Sequence, residues 1–398
     1  MIKLSDIKGI SQLAAAGVSG VTDIIEGMHK NIDNSPELFG ATTSGSFGTI
    51  SNIVYQSIHN VNNVVRDCIG TIIEQIEPLF DNQSSSLERD ILLSALNGVL
   101  GDYLQANNNP LALPMSINYN GNKIDLDINI DETSLLSDYS GKLLVMVHGL
   151  CMSVQQWERD GHSHAQALAD DFGYTPIYLH YNTGLHISTN GRAFANLLEN
   201  VIQKISPVND FVILGYSMGG LLTRSAYHYA VSCGYKWPEL VKKQIFLGSP
   251  HHGAPLERGG NWVNTLLEIS PYAAPFASIP KIRSSGITDL RYGNLLDEDW
   301  ETNDRFENMK DNRKIVPLPE NIKNYAIGGT IGVKEGKIKD KLIGDGFVPV
   351  ESSMGQHTEP ERCLAFPENH KWLGYGINHL NLLYNKDVYE KIKQWCAN

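Results

Sequence analysis

The stretch Phe211 to Leu222, Phe-Val-Ile-Leu-Gly-Tyr-Ser-Met-Gly-Gly-Leu-Leu, leaves this chain few options. Four consecutive apolar residues suit a strand buried on both faces, and the turn that follows leads straight into a helical stretch. The turn, Gly215-Tyr216-Ser217-Met218-Gly219, fits G-x-S-x-G. It places a serine on a strained strand-to-helix bend, with Gly215 and Gly219 keeping Cβ atoms out of a crowded corner. Such a bend lifts the hydroxyl clear of the sheet. Beside it lie unpaired helix N–H groups, where negative charge develops during acyl transfer. A Gly/Ser turn without chemistry also fits so short a pattern, so the surrounding sequence has to decide.

From Lys142 onward strands and helices alternate. Lys142 to His148, Pro176 to His180, Phe211 to Leu214, Lys243 to Leu247 and Asn324 to Gly328 read as strands. Val154 to Asp171, Gly191 to Ile205, Met218 to Tyr229 and Asn381 to Trp395 read as helices. Repeated βα units predict a mostly parallel central sheet with helices on both faces and chemistry at the carboxyl ends of the strands. His148 and Ser217 both fall at such ends. The alternation breaks over about residues 255–320, where apolar residues are interrupted by Pro271, Pro275 and Pro280, as expected of an insertion.

Residues 1–110 read as a separate helical region, and 111–398 as the main α/β domain. Apolar residues recur at helical spacing from Ile50 to Ile76 and again from Leu87 to Leu104, the second run opened by the capping pattern Ser85-Ser86-Leu87-Glu88. A further helix is read at Val18 to Asn31. A cap that buries apolar surface is the favoured reading of this region; an element for transient contact with a membrane or lipid surface, or for docking a partner, is the alternative. Asn120-Gly121, between Ser116 to Tyr119 and Lys123 to Ile130, signals a hairpin at the edge of the sheet.

With 44 acidic against 32 basic residues and a net charge of -12, the chain is unsuited to nucleic acid. A small-molecule or lipid substrate fits better. Five cysteines without a C-x-x-C pair argue against a disulfide framework and against a zinc knuckle; Cys151 reads as a small packing residue. Gly9 to Thr22 is too short and polar to span a bilayer, no transmembrane segment is found, and a cytoplasmic location is the default expectation.

A serine hydroxyl needs a base, and the base needs an acid to fix its tautomer. On folds of this kind the order along the chain is Ser, then Asp or Glu, then His. Downstream of Ser217, His379 lies in a glycine-bearing loop before the last helix and is preferred to His370. Asp345, between Gly344 and Gly346, is the candidate acid, with Asp340 and Glu351 as rivals. The oxyanion donors are expected from the N–H groups of Met218 and of Leu150, in the loop after the first parallel strand, with His148 and Gly149 supporting that loop. Activity is expected to rise as the imidazole base loses its proton near neutrality.

Six motifs carry a family resemblance: Val147-His148-Gly149-Leu150, Tyr181-Asn182-Thr183-Gly184, Gly215 to Gly220, Gly248-Ser249-Pro250-His251-His252-Gly253-Ala254-Pro255, Gly344 to Pro349 and Gly376 to Leu380. With these the chain resembles the α/β-hydrolase superfamily, within it the bacterial esterase and lipase group that is similar to glycosylphosphatidylinositol inositol-deacylases. The resemblance implies an α/β-hydrolase fold, a Ser217–Asp345–His379 triad, an acyl-enzyme intermediate, a carboxylic-ester substrate and no metal or organic cofactor. It also implies that the insertion after Pro255 is a cap or lid. The same triad would serve acyl transfer or cleavage of an amide or thioester, and a non-catalytic binding protein on this fold is a third reading.

Overall fold

The computed structural model describes residues 5–6, 8–10, 12, 86–126, 136, 139–205, 207–254, 284–301, 311–333 and 344–397. The helices read at Val18 to Asn31 and Ile50 to Ile76 lie outside these residues, as do the second half of the hairpin's return arm, Asp340 and much of the insertion.

Eight strands form one sheet: β1 (Ser116–Tyr119), β2 (Asn122–Lys123), β3 (Lys142–Val147), β4 (Thr175–His180), β5 (Asp210–Tyr216), β6 (Lys243–Leu247), β7 (Lys323–Thr330) and β8 (Lys371–Tyr375). Their order is β2-β1-β4-β3-β5-β6-β7-β8. Strands β3 to β8 run parallel, while β1 pairs antiparallel with both β2 and β4. The helices that position the site are α1 (Ser86–Ala106), α2 (His164–Phe172), α3 (Ile187–Ile205), α4 (Met218–Ser232), α5 (Ser285–Asp289) and α6 (Lys386–Cys396).

The period-2 geometry of the central strands sorts their side chains between two cores. Leu143, Val145 and Val147 of β3, with Phe211 and Ile213 of β5, meet α3 and α4 through Phe194, Leu198, Leu222 and Ala226. The alternate residues Leu144, Met146, Val212 and Leu214 meet α1, α2 and α6 through Leu96, Val99, Leu168 and Ile392. Each such buried aliphatic side chain contributes roughly 1.5–3 kcal/mol. Helix α1 therefore shares a core with the sheet. No helix among the described residues is long and apolar enough to cross a membrane.

Three elements differ from the sequence reading. The helix expected from Val154 to Asp171 is a 3-10 turn (Val154–Trp157), then a tight turn, then α2. Asp160 and Gly161 both take positive φ, 50° and 71°, and Arg159 and His162 exchange backbone hydrogen bonds across them. An Asp-Gly turn of this kind is incompatible with continuing helix. The helix expected from Asn381 begins only at Lys386, where the Asn385 side chain accepts from the N–H groups of Asp387 and Val388, and a 3-10 turn (Leu380–Leu383) precedes it. Strand β8 had no signal: Lys-Trp-Leu-Gly-Tyr is an edge strand, half-buried and without an apolar run.

Candidate active site

Ser217 follows β5 and opens α4 with φ 53° and ψ -125°. For a residue with a Cβ that conformation costs on the order of 1–3 kcal/mol, and it persists only where its surroundings impose it. Here they do: the Ser217 N–H donates to Leu247 O at 2.8 Å, and the Gly220 N–H donates to Ser217 O at 3.0 Å. A Cβ on Gly219 would run into the carbonyl oxygens of Val147 and His148. Close approach of α4 to the end of β3 is thus possible only with glycine at that position.

His379 and Asp345 meet at the same end of the sheet, both buried, with Nδ1 of the ring 2.6 Å from Oδ2 of the carboxylate. The carboxylate's other oxygen accepts from the N–H groups of Phe347 (3.0 Å) and Val348 (2.8 Å), and the His379 N–H donates to Asp345 O at 2.9 Å. The loop therefore binds its own carboxylate and leaves one oxygen for the imidazole. Tyr216 donates its hydroxyl to His379 O at 3.1 Å and packs its ring against the imidazole. A Cβ on Gly248 would lie 3.2 Å from the same ring. Since Gly248 directly follows Leu247, which holds Ser217, the imidazole sits over the strand beside the serine.

No hydrogen bond joins Ser217 Oγ to His379 among the described residues; the His379–Asp345 half is closed and the Ser217–His379 half is open. Contacts of this kind often tighten only in the substrate complex. Of the rivals, His370 stands before β8, at the amino end of the strand, and binds Asn324 O at 3.0 Å. Glu351 is exposed to solvent.

Gly149 lies against the serine: a Cβ built there would be 3.0 Å from the Ser217 Cβ. Nδ1 of His148 lies 2.9 Å from Gly149 O, and the hydroxyl of Tyr181 donates to His148 O at 2.8 Å. Burial lowers the His148 pKa to about 3, so the ring is neutral and donates from Nδ1. With the Gly149 carbonyl turned toward that ring, the N–H of Leu150 in the same planar peptide points the opposite way. Met218 is the first residue of α4, where an N–H has no acceptor one turn back.

The next residue, Cys151, has φ 58° and is buried; its N–H donates to Thr183 Oγ1 at 3.1 Å. Helix α1 presses on this loop. A Cβ on Gly98 would collide with Cys151, and one on Gly101 would collide with Asn182, whose amide donates to Gly101 O at 2.9 Å. Ser284, at the start of α5, donates to Gly98 O at 2.6 Å. Sequence reasoning missed α1 as part of the site, although two glycines three residues apart inside an apolar helical pattern were a signal of close backbone approach. Among the described residues no group of three or more His, Cys, Asp or Glu side chains is placed to hold a metal ion.

A mostly parallel sheet, a serine on a strand-to-helix elbow and helices on both faces define an α/β-hydrolase fold. Residues 138–318, a little under half of the chain, match the family described as the PGAP1-like alpha/beta domain. No curated protein matches. Solved structures with similarity include the mature lipase BlEst2 of Bacillus licheniformis, 19% identical, covering 64% of this chain and 91% of that one with a TM-score of 0.41. A lipase-esterase related protein from Clostridium acetobutylicum ATCC 824 is 18% identical over 64% of this chain and 94% of its own, with a TM-score of 0.36. The metagenomic carboxyl esterase MGS0156 is 14% identical over 65% of this chain and 76% of its own, with a TM-score of 0.39. Likenesses this distant carry no information about substrate.

Proposed function

We propose that the protein is a serine hydrolase that cleaves a carboxylic ester, its triad formed by Ser217, His379 and Asp345. The observation that carries the reading is the buried His379–Asp345 pair over a serine held at positive φ. With Nδ1 committed to the carboxylate, Nε2 is the nitrogen left to take the proton from Ser217 Oγ. Oγ attacks the ester carbonyl carbon, and the charge on its oxygen is met by the N–H groups of Leu150 and Met218. The imidazolium then protonates the departing alcohol, leaving an acyl group on Ser217. Water, deprotonated by the same nitrogen, attacks the acyl carbon; the acyl C–Oγ bond breaks, the carboxylic acid leaves, and Oγ takes a proton back from the imidazolium.

The substrate is a small-molecule or lipid ester. Ser217→Ala tests the reading. Hydrolysis of p-nitrophenyl esters and labelling by a fluorophosphonate should both disappear, with at least about a 10⁴-fold fall in kcat. A folded variant that still hydrolyses at the original rate would reject it. A screen of acyl lengths from acetyl to palmitoyl then defines the substrate class.

A further inference from the structure

We infer that His164 is a positioning residue for the His379 imidazole, holding the turn that carries His379 by a hydrogen bond to the carbonyl of Leu382. The inference rests on the triad proposed above and adds to it a side chain from the opposite flank of the site.

His164 opens α2, and its Nε2 lies 2.9 Å from Leu382 O in a buried contact. A carbonyl only accepts, so Nε2 carries the hydrogen. Burial lowers the His164 pKa to about 4, so near neutral pH the ring has one N–H and its Nδ1 is an acceptor. Nε2 of His162 stands 2.8 Å from that Nδ1. The donor there is therefore His162, and the hydrogens run in one direction, from His162 to His164 and from His164 to Leu382. The Asp160-Gly161 turn makes this possible: by interrupting the helix and pairing Arg159 with His162, it sets the half-buried His162 ring edge-on to His164, centroids 4.9 Å apart. Tyr389 of α6 closes the group, stacked on His164 and edge-on to His162, its hydroxyl donating to Asp171 at 2.5 Å.

Leu382 couples this chain to the His379 ring. Its N–H is shared between the carbonyls of Asn378 and His379, each at 3.3 Å. Its buried side chain lies beside the ring over Gly248, where a Cβ would be 2.7 Å from Leu382 Cδ1 and 3.2 Å from His379 Nδ1 and Cε1. Asp345, after β7, and Tyr216, at the end of β5, hold His379 from the sheet; His164 holds the same turn from α2. Packing alone does not call for a histidine here. An aliphatic side chain would fill the place among neighbours such as Ala165 and Leu168 without burying two ring nitrogens. What it would lack is the donor to Leu382 O.

Kinetics of p-nitrophenyl butyrate hydrolysis by the full chain test the inference with His164→Leu, His164→Gln and His164→Asn. The Gln amide nitrogen takes the place of Nε2 and donates to Leu382 O; the Asn amide, one methylene shorter, falls short of it, and Leu has no donor. His164→Leu and His164→Asn should each lower kcat about 30-fold or more, the scale of a misplacement near 1 Å, and slow fluorophosphonate labelling of Ser217 to match. KM should stay within about twofold, and His164→Gln should keep kcat within about threefold of wild type. Each is measured well below the variant's own Tm. Wild-type kcat in a folded His164→Leu, equal losses in the Gln and Asn variants, or a loss carried by KM alone would overturn the inference; the Gln and Asn pair decides it if the Leu variant does not fold. Ser217→Ala keeps the two readings apart: continued hydrolysis there removes the triad itself, whereas an inactive Ser217→Ala beside an unimpaired His164→Asn removes only the role of His164.

Discussion

On one side of the site, polar groups hold one another: Asp345 is fixed by two backbone N–H groups and in turn fixes His379, all within buried hydrogen bonds. On the other, the Gly149–Cys151 loop is shaped by contact, wedged between the serine, Thr183 and the backbone of α1. The first arrangement should fail chemically while the fold survives. The second should fail by displacement, with every reactive side chain still present.

Asp345→Asn is expected to show the first behaviour at its strongest. The amide oxygen still accepts from Phe347 and Val348, but an amide nitrogen facing Nδ1 puts the ring in the wrong tautomer, and kcat should drop about 10⁴-fold with little change in Tm. A loss under tenfold would remove Asp345 from the triad. Gly98→Ala should show the second: the new methyl pushes on Cys151, and misplacing the Leu150 donor should reduce kcat about 10²-fold. Adding Cys151→Ala should recover much of that loss. If Gly98→Ala is as active as wild type, α1 does not hold the loop.

The same contrast extends to pH. His148 is kept neutral by burial, with its pKa lowered to about 3, whereas in the unfolded chain it titrates near 6.5. Between those values the unfolded state binds a proton that the native state refuses. Stability is therefore complete above about pH 6.5 and declines as pH falls toward 3, by roughly 1.4 kcal/mol per unit from this ring. Urea unfolding at pH 7 to 5 should show a shallower slope in His148→Gln by about that amount. Tyr181→Phe, which strips one donor from His148 O, should cost about 1 kcal/mol and only a few-fold in kcat, the smallest effect of the set.

The two sides were unequally legible in the sequence. The apolar runs of β3, β5 and β6 located strand ends, and short glycine-flanked motifs drew attention to Ser217, Asp345 and His379, which the fold brings to one end of the sheet. Strand β8 was invisible because an edge strand needs no apolar run. The Asp160-Gly161 turn was present in the sequence but outweighed by helical spacing around it. The contribution of α1 lay in glycines whose meaning depends on what they touch, and the open Ser217–His379 half is a matter of ångströms that no residue pattern encodes.

Helix α1 also bears on where this protein is divisible. A shortened version beginning at β1 would retain Ser217, His379 and Asp345, the proposed nucleophile, base and acid. It would also bare the greasy flank that Leu96, Val99 and Leu104 now cover, and deprive the Cys151 bend of its backing. Anyone trimming the chain to a tidy sheet domain would recover the reagents without the vessel that aligns them.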